Sequence, residues 1–130
     1  MEYISYKRFK GKAICGLVNI PANSLCELTS GFIFFNGQKV CYSTSENAHK
    51  FFARNDDGCG MERGYLTASI QKQLAKVNNH QDRWDKVWSD PVCQKYKRVE
   101  HADHWLWNHE FFNADIEDLV HIAKLVGLRR

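Results

Sequence analysis

Proline is nearly absent from this 130-residue chain, at two residues, and glycine stands at eight. Disordered and collagen-like chains need far more of both, so neither is expected. No apolar run approaches the roughly 18 residues that span a bilayer. The start, Met1 to Arg8, has no apolar stretch behind its charges, so an export signal is not expected either. Five cysteines stand at 15, 26, 41, 59 and 93, an odd number with no pair in CxxC spacing. That argues against a complete disulfide framework and against a zinc knuckle. The expectation is free thiols, mostly buried as small hydrophobes, in a cytoplasmic protein. A phosphate-binding glycine loop, a serine nucleophile elbow and kinase motifs are also missing.

What is present suits an ordinary globular chain: 44% hydrophobic and 25% charged residues. Its length fits one domain, 1–130, with a core large enough to need no staples. Eight Phe, five Tyr and four Trp mean that large rings build much of that core. The net charge of +3 permits an acidic partner without demanding one.

Local patterning predicts an α+β fold with a β-rich part over 1–42 and a helical part over 43–130. Tyr3, Ile4 and Tyr6 open the first strand, and the apolar stretch Lys12 to Val18 suits another. Pro21 to Ser24 reads as a turn, with Asn23 able to adopt a left-handed conformation. Leu25, Cys26 and Leu28 continue to a turn at Ser30-Gly31. Asn36-Gly37 between Phe32–Phe35 and Gln38–Tyr42 predicts a β-hairpin with a type I′ turn. The strands should form a small twisted antiparallel sheet or a partly open barrel. Ser43 with Glu46 fits a capping box opening a helix through Phe52. Arg54 to Gly60 follows as a helix-to-helix loop, and helical spacing returns from Tyr65 to Val77, ended by Asn78-Asn79. Arg83 to Trp88 suits a further helix. Asp90-Pro91 is a helix start, acidic N-cap before proline at N1. The last helix runs from Asn113 or Ala114 to Val126 with the stripe Ile116, Leu119, Val120, Ala123 and Val126, closed by Gly127.

Four residue groups are candidates for chemistry. His101, Asp103, His104 and His109 offer imidazole and carboxylate, the donors of zinc or iron sites, although their spacing matches no metalloenzyme signature. Surface or satisfied histidines are the ordinary alternative, and no cofactor is expected. The loop Asn55 to Glu62 carries acids and glycines, but not in the register of a calcium loop. Its Cys59 has Arg63 as the nearest cation, opposed by Asp57. Lys7, Arg8, Lys10 and Lys12, interleaved with Tyr6 and Phe9, would suit single-stranded nucleic acid through phosphate contacts and stacking. The competing reading is a lysine-blunted sheet edge. Finally, Trp105 and Trp107, with Lys95, Lys97 and Arg98, could anchor a partner, although ring-rich segments more often pack in the core.

At Asn55 to Gly64, Arg83 to Trp88 and His104 to His109, the chain resembles small accessory proteins of Firmicute phages and prophages. The resemblance implies a non-catalytic binding protein that inhibits a host defence or regulatory factor, in the manner of anti-CRISPR proteins. Its partner would be a host protein or protein–nucleic-acid complex, and a homo-oligomer is compatible with it. The alternative class is a nucleic-acid binder, or a metal-dependent nuclease built on the histidine group.

Overall fold

A computed structural model describes residues 1–77, 85–87, 89–97 and 107–128. The chain has the expected α+β architecture, strands first and helices mostly after them. It divides into two compact units, Met1–Tyr65 and Leu66–Arg130.

In the first unit, five strands form one antiparallel sheet and two form another. The strands β1 (Glu2–Ser5), β4 (Leu25–Thr29), β5 (Phe32–Phe35), β6 (Gln38–Tyr42) and β7 (Phe52–Arg54) lie in the order β6-β5-β4-β1-β7. The remaining pair, β2 (Phe9–Ala13) and β3 (Gly16–Ile20), is a hairpin of its own. The strands do not close into a barrel. Backbone hydrogen bonds tie the hairpin tip to the larger sheet: the Ile14 and Cys15 amides donate to the Val40 and Lys39 carbonyls at 2.9 and 3.0 Å. These carbonyls sit beside a register shift between β5 and β6.

Turn chemistry sets the connections. Asn36 and Gly37 have φ of 51° and 76°, the two positive values a type I′ turn requires, and Ser30 and Gly31 repeat the device at 52° and 81°. Asn23 is left-handed at 65°, as its type allows. The buried Ser5 hydroxyl donates to the Pro21 carbonyl at 2.7 Å and accepts from the Ser24 amide at 2.9 Å, fastening that turn to β1. Alternation then divides the residues between two faces. Tyr3, Cys26, Ile33, Val40, Cys41 and Phe52 point inward and meet Phe9, Ala13 and Ile20 of the hairpin, with Ala48 of helix α1 (Glu46–Phe51) completing the cluster.

Several local expectations are corrected. The stretch Lys12 to Val18 is two strands, because Ile14-Cys15 is a two-residue turn whose amides are taken by β6. The N-cap of α1 is Ser45, which accepts from the Ala48 amide at 3.2 Å, so Glu46 opens the helix and pairs with Lys50 at 3.0 Å. That helix stops at Phe51. Phe52 to Arg54 pair with β1, so the loop after them leads from a strand to helix α2 (Gly60–Val77). The Asn78-Asn79 break lies outside the described residues, as do Arg83, Trp84 and Trp88.

The second unit packs Ile70, Leu74, Val87, Cys93, Tyr96, Phe111, Leu119 and Ile122 in one core. Asp90 caps helix α3 (Pro91–Lys95) as expected, accepting from the Val92 and Cys93 amides at 2.9 and 3.2 Å. Residues His109–Asn113 form a 3₁₀ helix capped by Asn108, whose side chain accepts from the Phe111 amide. Helix α4 (Ile116–Leu125) starts after Asp115, and Gly127 closes it at φ 85°. Its buried face is Leu119, Ile122 and Ala123, so Ile122 takes the place expected of Val120.

The Asp90 carboxylate also accepts from His121 Nε2 at 2.8 Å, joining the α3 cap to α4. Burial raises its pKa, but hydrogen bonds from His121 and from the Cys93 and Val92 amides outweigh burial and hold it below the usual carboxylate value. Asp90→Ala is expected to lower stability by about 1 kcal/mol, the usual worth of an N-cap. A folded-state pKa below the unfolded one stabilises above the unfolded value near pH 4 and is lost as pH falls through the folded value. The difference in urea midpoint between wild type and variant should therefore shrink on acidification below pH 4.

Candidate nucleic-acid interface

The hairpin β2–β3 carries the best-defined surface chemistry. Phe9 and Ala13 face the core, so strand alternation puts Lys10 and Lys12 on the opposite, solvent side. Their cross-strand partners are Asn19 and Leu17, both exposed, and Leu17 is 86% exposed. Lys7 and Arg8 are exposed in the bend before β2. None of the four cations forms an ion pair with a described residue. No Asp or Glu occurs between Glu2 and Glu27. This run of residues without an acid was legible in the sequence, and it leaves the hairpin face with an uncompensated positive potential.

The rings expected among these cations are elsewhere. Tyr6 and Phe9 are buried. The Tyr6 hydroxyl donates to the His49 carbonyl at 2.5 Å, and burial pushes its pKa up to about 12. Phe9 packs edge-on against Phe51 at 5.1 Å between centroids. Stacking on nucleobases is therefore not offered by these rings, while phosphate contact is offered by all four cations.

The other candidate groups divide differently. In the second unit, Trp107 is half-buried, stacked on Phe111 at 4.3 Å and 12°, with an antiparallel bridge to Lys97. Lys95 lies 3.4 Å from Asp118, whose carboxylate also accepts from the Tyr96 hydroxyl at 2.6 Å. Trp105 and Arg98 lie outside the described residues. So do His101, Asp103 and His104, while His109 is exposed on the first turn of the 3₁₀ helix. Among the described residues no group of three metal-ligating side chains converges.

The thiols divide by burial. Cys26, Cys41 and Cys93 are buried and Cys15 is exposed. Burial pushes the Cys93 thiol up to about 12, helped by Asp90, and the Cys26 thiol up to about 12, helped by Cys41. Such thiols are poor nucleophiles. In the acidic loop, Asp57 does more than oppose Arg63. It takes the buried Arg63 guanidinium in two bonds, at 2.5 and 3.1 Å, and Arg63 also donates to the Arg54 carbonyl at 2.6 Å. The Cys59 amide donates to the same Asp57 carboxylate at 3.0 Å. These contacts close the loop on itself.

No helix among the described residues is long and apolar enough to cross a membrane. An α+β protein with a lone basic hairpin is thus the class that the fold and this surface define. Comparison with family models, with curated proteins and with solved structures returns no match.

Proposed function

We propose that the protein works by binding, and that the outer face of the β2–β3 hairpin contacts the sugar–phosphate backbone of duplex nucleic acid. What supports this reading is the grouping of Lys7, Arg8, Lys10 and Lys12 on or beside one exposed face with no acid in residues 3–26. A face with cations and no exposed ring neutralises phosphates without reading bases, so binding is independent of sequence. Duplex is preferred over single strand because single-strand binders rely on ring stacking, and Tyr6 and Phe9 are buried. The resemblance to phage accessory proteins extends the proposal: the duplex would belong to a host protein–nucleic-acid complex whose action the protein blocks.

Fluorescence anisotropy with a short labelled DNA duplex tests this. Four phosphate contacts give a logarithmic salt slope of at most about −3.6. Lys10→Ala/Lys12→Ala should flatten that slope by about 2 and weaken binding about tenfold or more at low salt. Binding that ignores salt, or a double variant that binds like wild type, would sink the proposal. Tighter binding of single strand than of duplex would replace the duplex by a single-stranded partner.

A further inference from the structure

The outer face of the five-stranded sheet has the opposite chemistry from the hairpin. Alternation turns Leu25, Glu27 and Thr29 of β4 and Phe32 and Phe34 of β5 outward, away from Cys26 and Ile33. In register, Glu2 stands opposite Glu27, and Glu27 opposite Phe34. An open depression of about 510 Å³ lies there, lined by Glu2, Leu25, Glu27, Thr29, Phe34 and Asn36 among others. Leu25 is 60% exposed on it. Two like charges side by side on neighbouring strands destabilise a sheet unless a cation answers them. The Met1 amine, 3.6 Å from Glu27, answers one in part, and Glu2 accepts from the Asn55 side-chain amide at 2.7 Å. The face also tolerates a cation on its rings: Lys39 Nζ sits 4.0 Å above the Phe32 ring.

A partner for this face needs cations spaced around an apolar knob. The chain itself presents that surface, Lys10 and Lys12 flanking the exposed Leu17 and Asn19. The geometry points to a second copy of this chain as the occupant: the β2–β3 hairpin of one molecule docks on the Glu2–Glu27 face of the next. The two surfaces belong to opposite layers of the first unit, since the hairpin packs on the inner face of the sheet and the depression opens on the outer one. The contact is therefore head-to-tail, and it propagates instead of closing at a dimer. It is also weak, because eight lining residues fall well short of the roughly 20–30 per side of a stable interface. Duplex nucleic acid would compete for the same hairpin face, so the inference reaches beyond the proposed function but does not depend on it.

Sedimentation velocity of the full chain, free of nucleic acid, tests it. At low salt the weight-average coefficient should rise continuously with concentration up to about 0.5 mM, a range suited to small interfaces. At about 0.5 M salt it should fall to the monomer value. Lys10→Glu/Lys12→Glu and Glu2→Lys/Glu27→Lys should each remain monomeric alone. Mixing the two should restore association, because each reversed face then meets a reversed partner. All four positions are exposed, so both variants should fold, and thermal melts check that they do. A wild type that stays monomeric at low salt, a dimer that does not grow, or a mixture that fails to associate would overturn the inference. Glu2→Lys/Glu27→Lys keeps the hairpin intact. Duplex binding by this variant therefore shows whether the nucleic-acid reading stands when self-association fails, and the reverse.

Discussion

Replacing Asp57 by alanine lowers the unfolding free energy by about 3–5 kcal/mol, and replacing Arg63 by methionine lowers it by less. The asymmetry follows from which charge each change leaves behind. The Arg63 side chain is 0% exposed, whereas the Asp57 side chain is 37% exposed. Removing Asp57 takes two bonds and the opposing charge from a guanidinium that water does not reach, and breaking a buried pair in this way costs about 3–5 kcal/mol. Removing Arg63 strands a carboxylate that water already touches, and methionine refills much of the volume. The remaining cost is the Arg54 carbonyl, which loses its 2.6 Å donor, on the order of 1–3 kcal/mol. Urea unfolding at pH 7 measures both, and equal losses would contradict the argument. Acid titration supplies a second check. The hydrogen bond from Arg63 holds the Asp57 carboxyl well below the usual carboxylate range, against the opposing effect of burial. A depressed pKa stabilises above the unfolded value near pH 4 and loses that contribution only as pH falls through the folded value. Wild type should therefore keep this contribution at pH 4, while Asp57→Ala has none to lose.

How much of this was legible in the sequence depended on how local the decisive chemistry is. The Asn36-Gly37 hairpin, the left-handed Asn23 and the Asp90-Pro91 start are each fixed by a few adjacent residues, and each stands where it was expected. Strand β7 is different. Phe52 and Ala53 follow a helical pattern without a breaker, and only pairing with Ser5 and Ile4 extends them. The same holds for the cap of α1. Ser43 and Ser45 both precede helix-forming residues, and the Ser45 hydroxyl wins by donating to the Tyr42 carbonyl at 2.8 Å while accepting from Ala48. The cations of the candidate interface were visible as residue types. Their common face was not, because Lys12 to Val18 reads as one strand until the Ile14-Cys15 turn folds it back. The acidic outer face went unread for a related reason. Glu2 and Glu27 meet only through the β1–β4 register, across 25 residues of chain.

The second large effect lies at Gly64, a glycine within α2 where helix propensity alone favours alanine by about 1 kcal/mol. Gly64→Ala is expected to lose stability despite that gain. A Cβ at this position would fall on the Tyr6 ring, well inside van der Waals contact with Cδ1, Cγ and Cβ. The ring cannot simply turn aside. Its hydroxyl is held by the His49 carbonyl at 2.5 Å, Tyr65 meets it edge-on at 6.1 Å, and Tyr6 is 2% exposed. Contact with Tyr6 Cβ makes a rotamer change insufficient, so backbone must move on α2 or just after β1. Overpacking of this kind costs typically about 1–3 kcal/mol and occasionally more. After the propensity gain, a net loss of about 1–2 kcal/mol is expected in urea unfolding. Tyr6→Ala in the Gly64→Ala background separates the contributions. Tyr6→Ala alone should cost about 3–5 kcal/mol as a large-to-small core change. In the double variant the contacts with the ring are gone and only the 2.8 Å contact with the Cβ of residue 6 remains, so most of the cost of Gly64→Ala should disappear. A double-mutant cycle with no coupling between the two positions would show that the helix accommodates the methyl without displacing Tyr6.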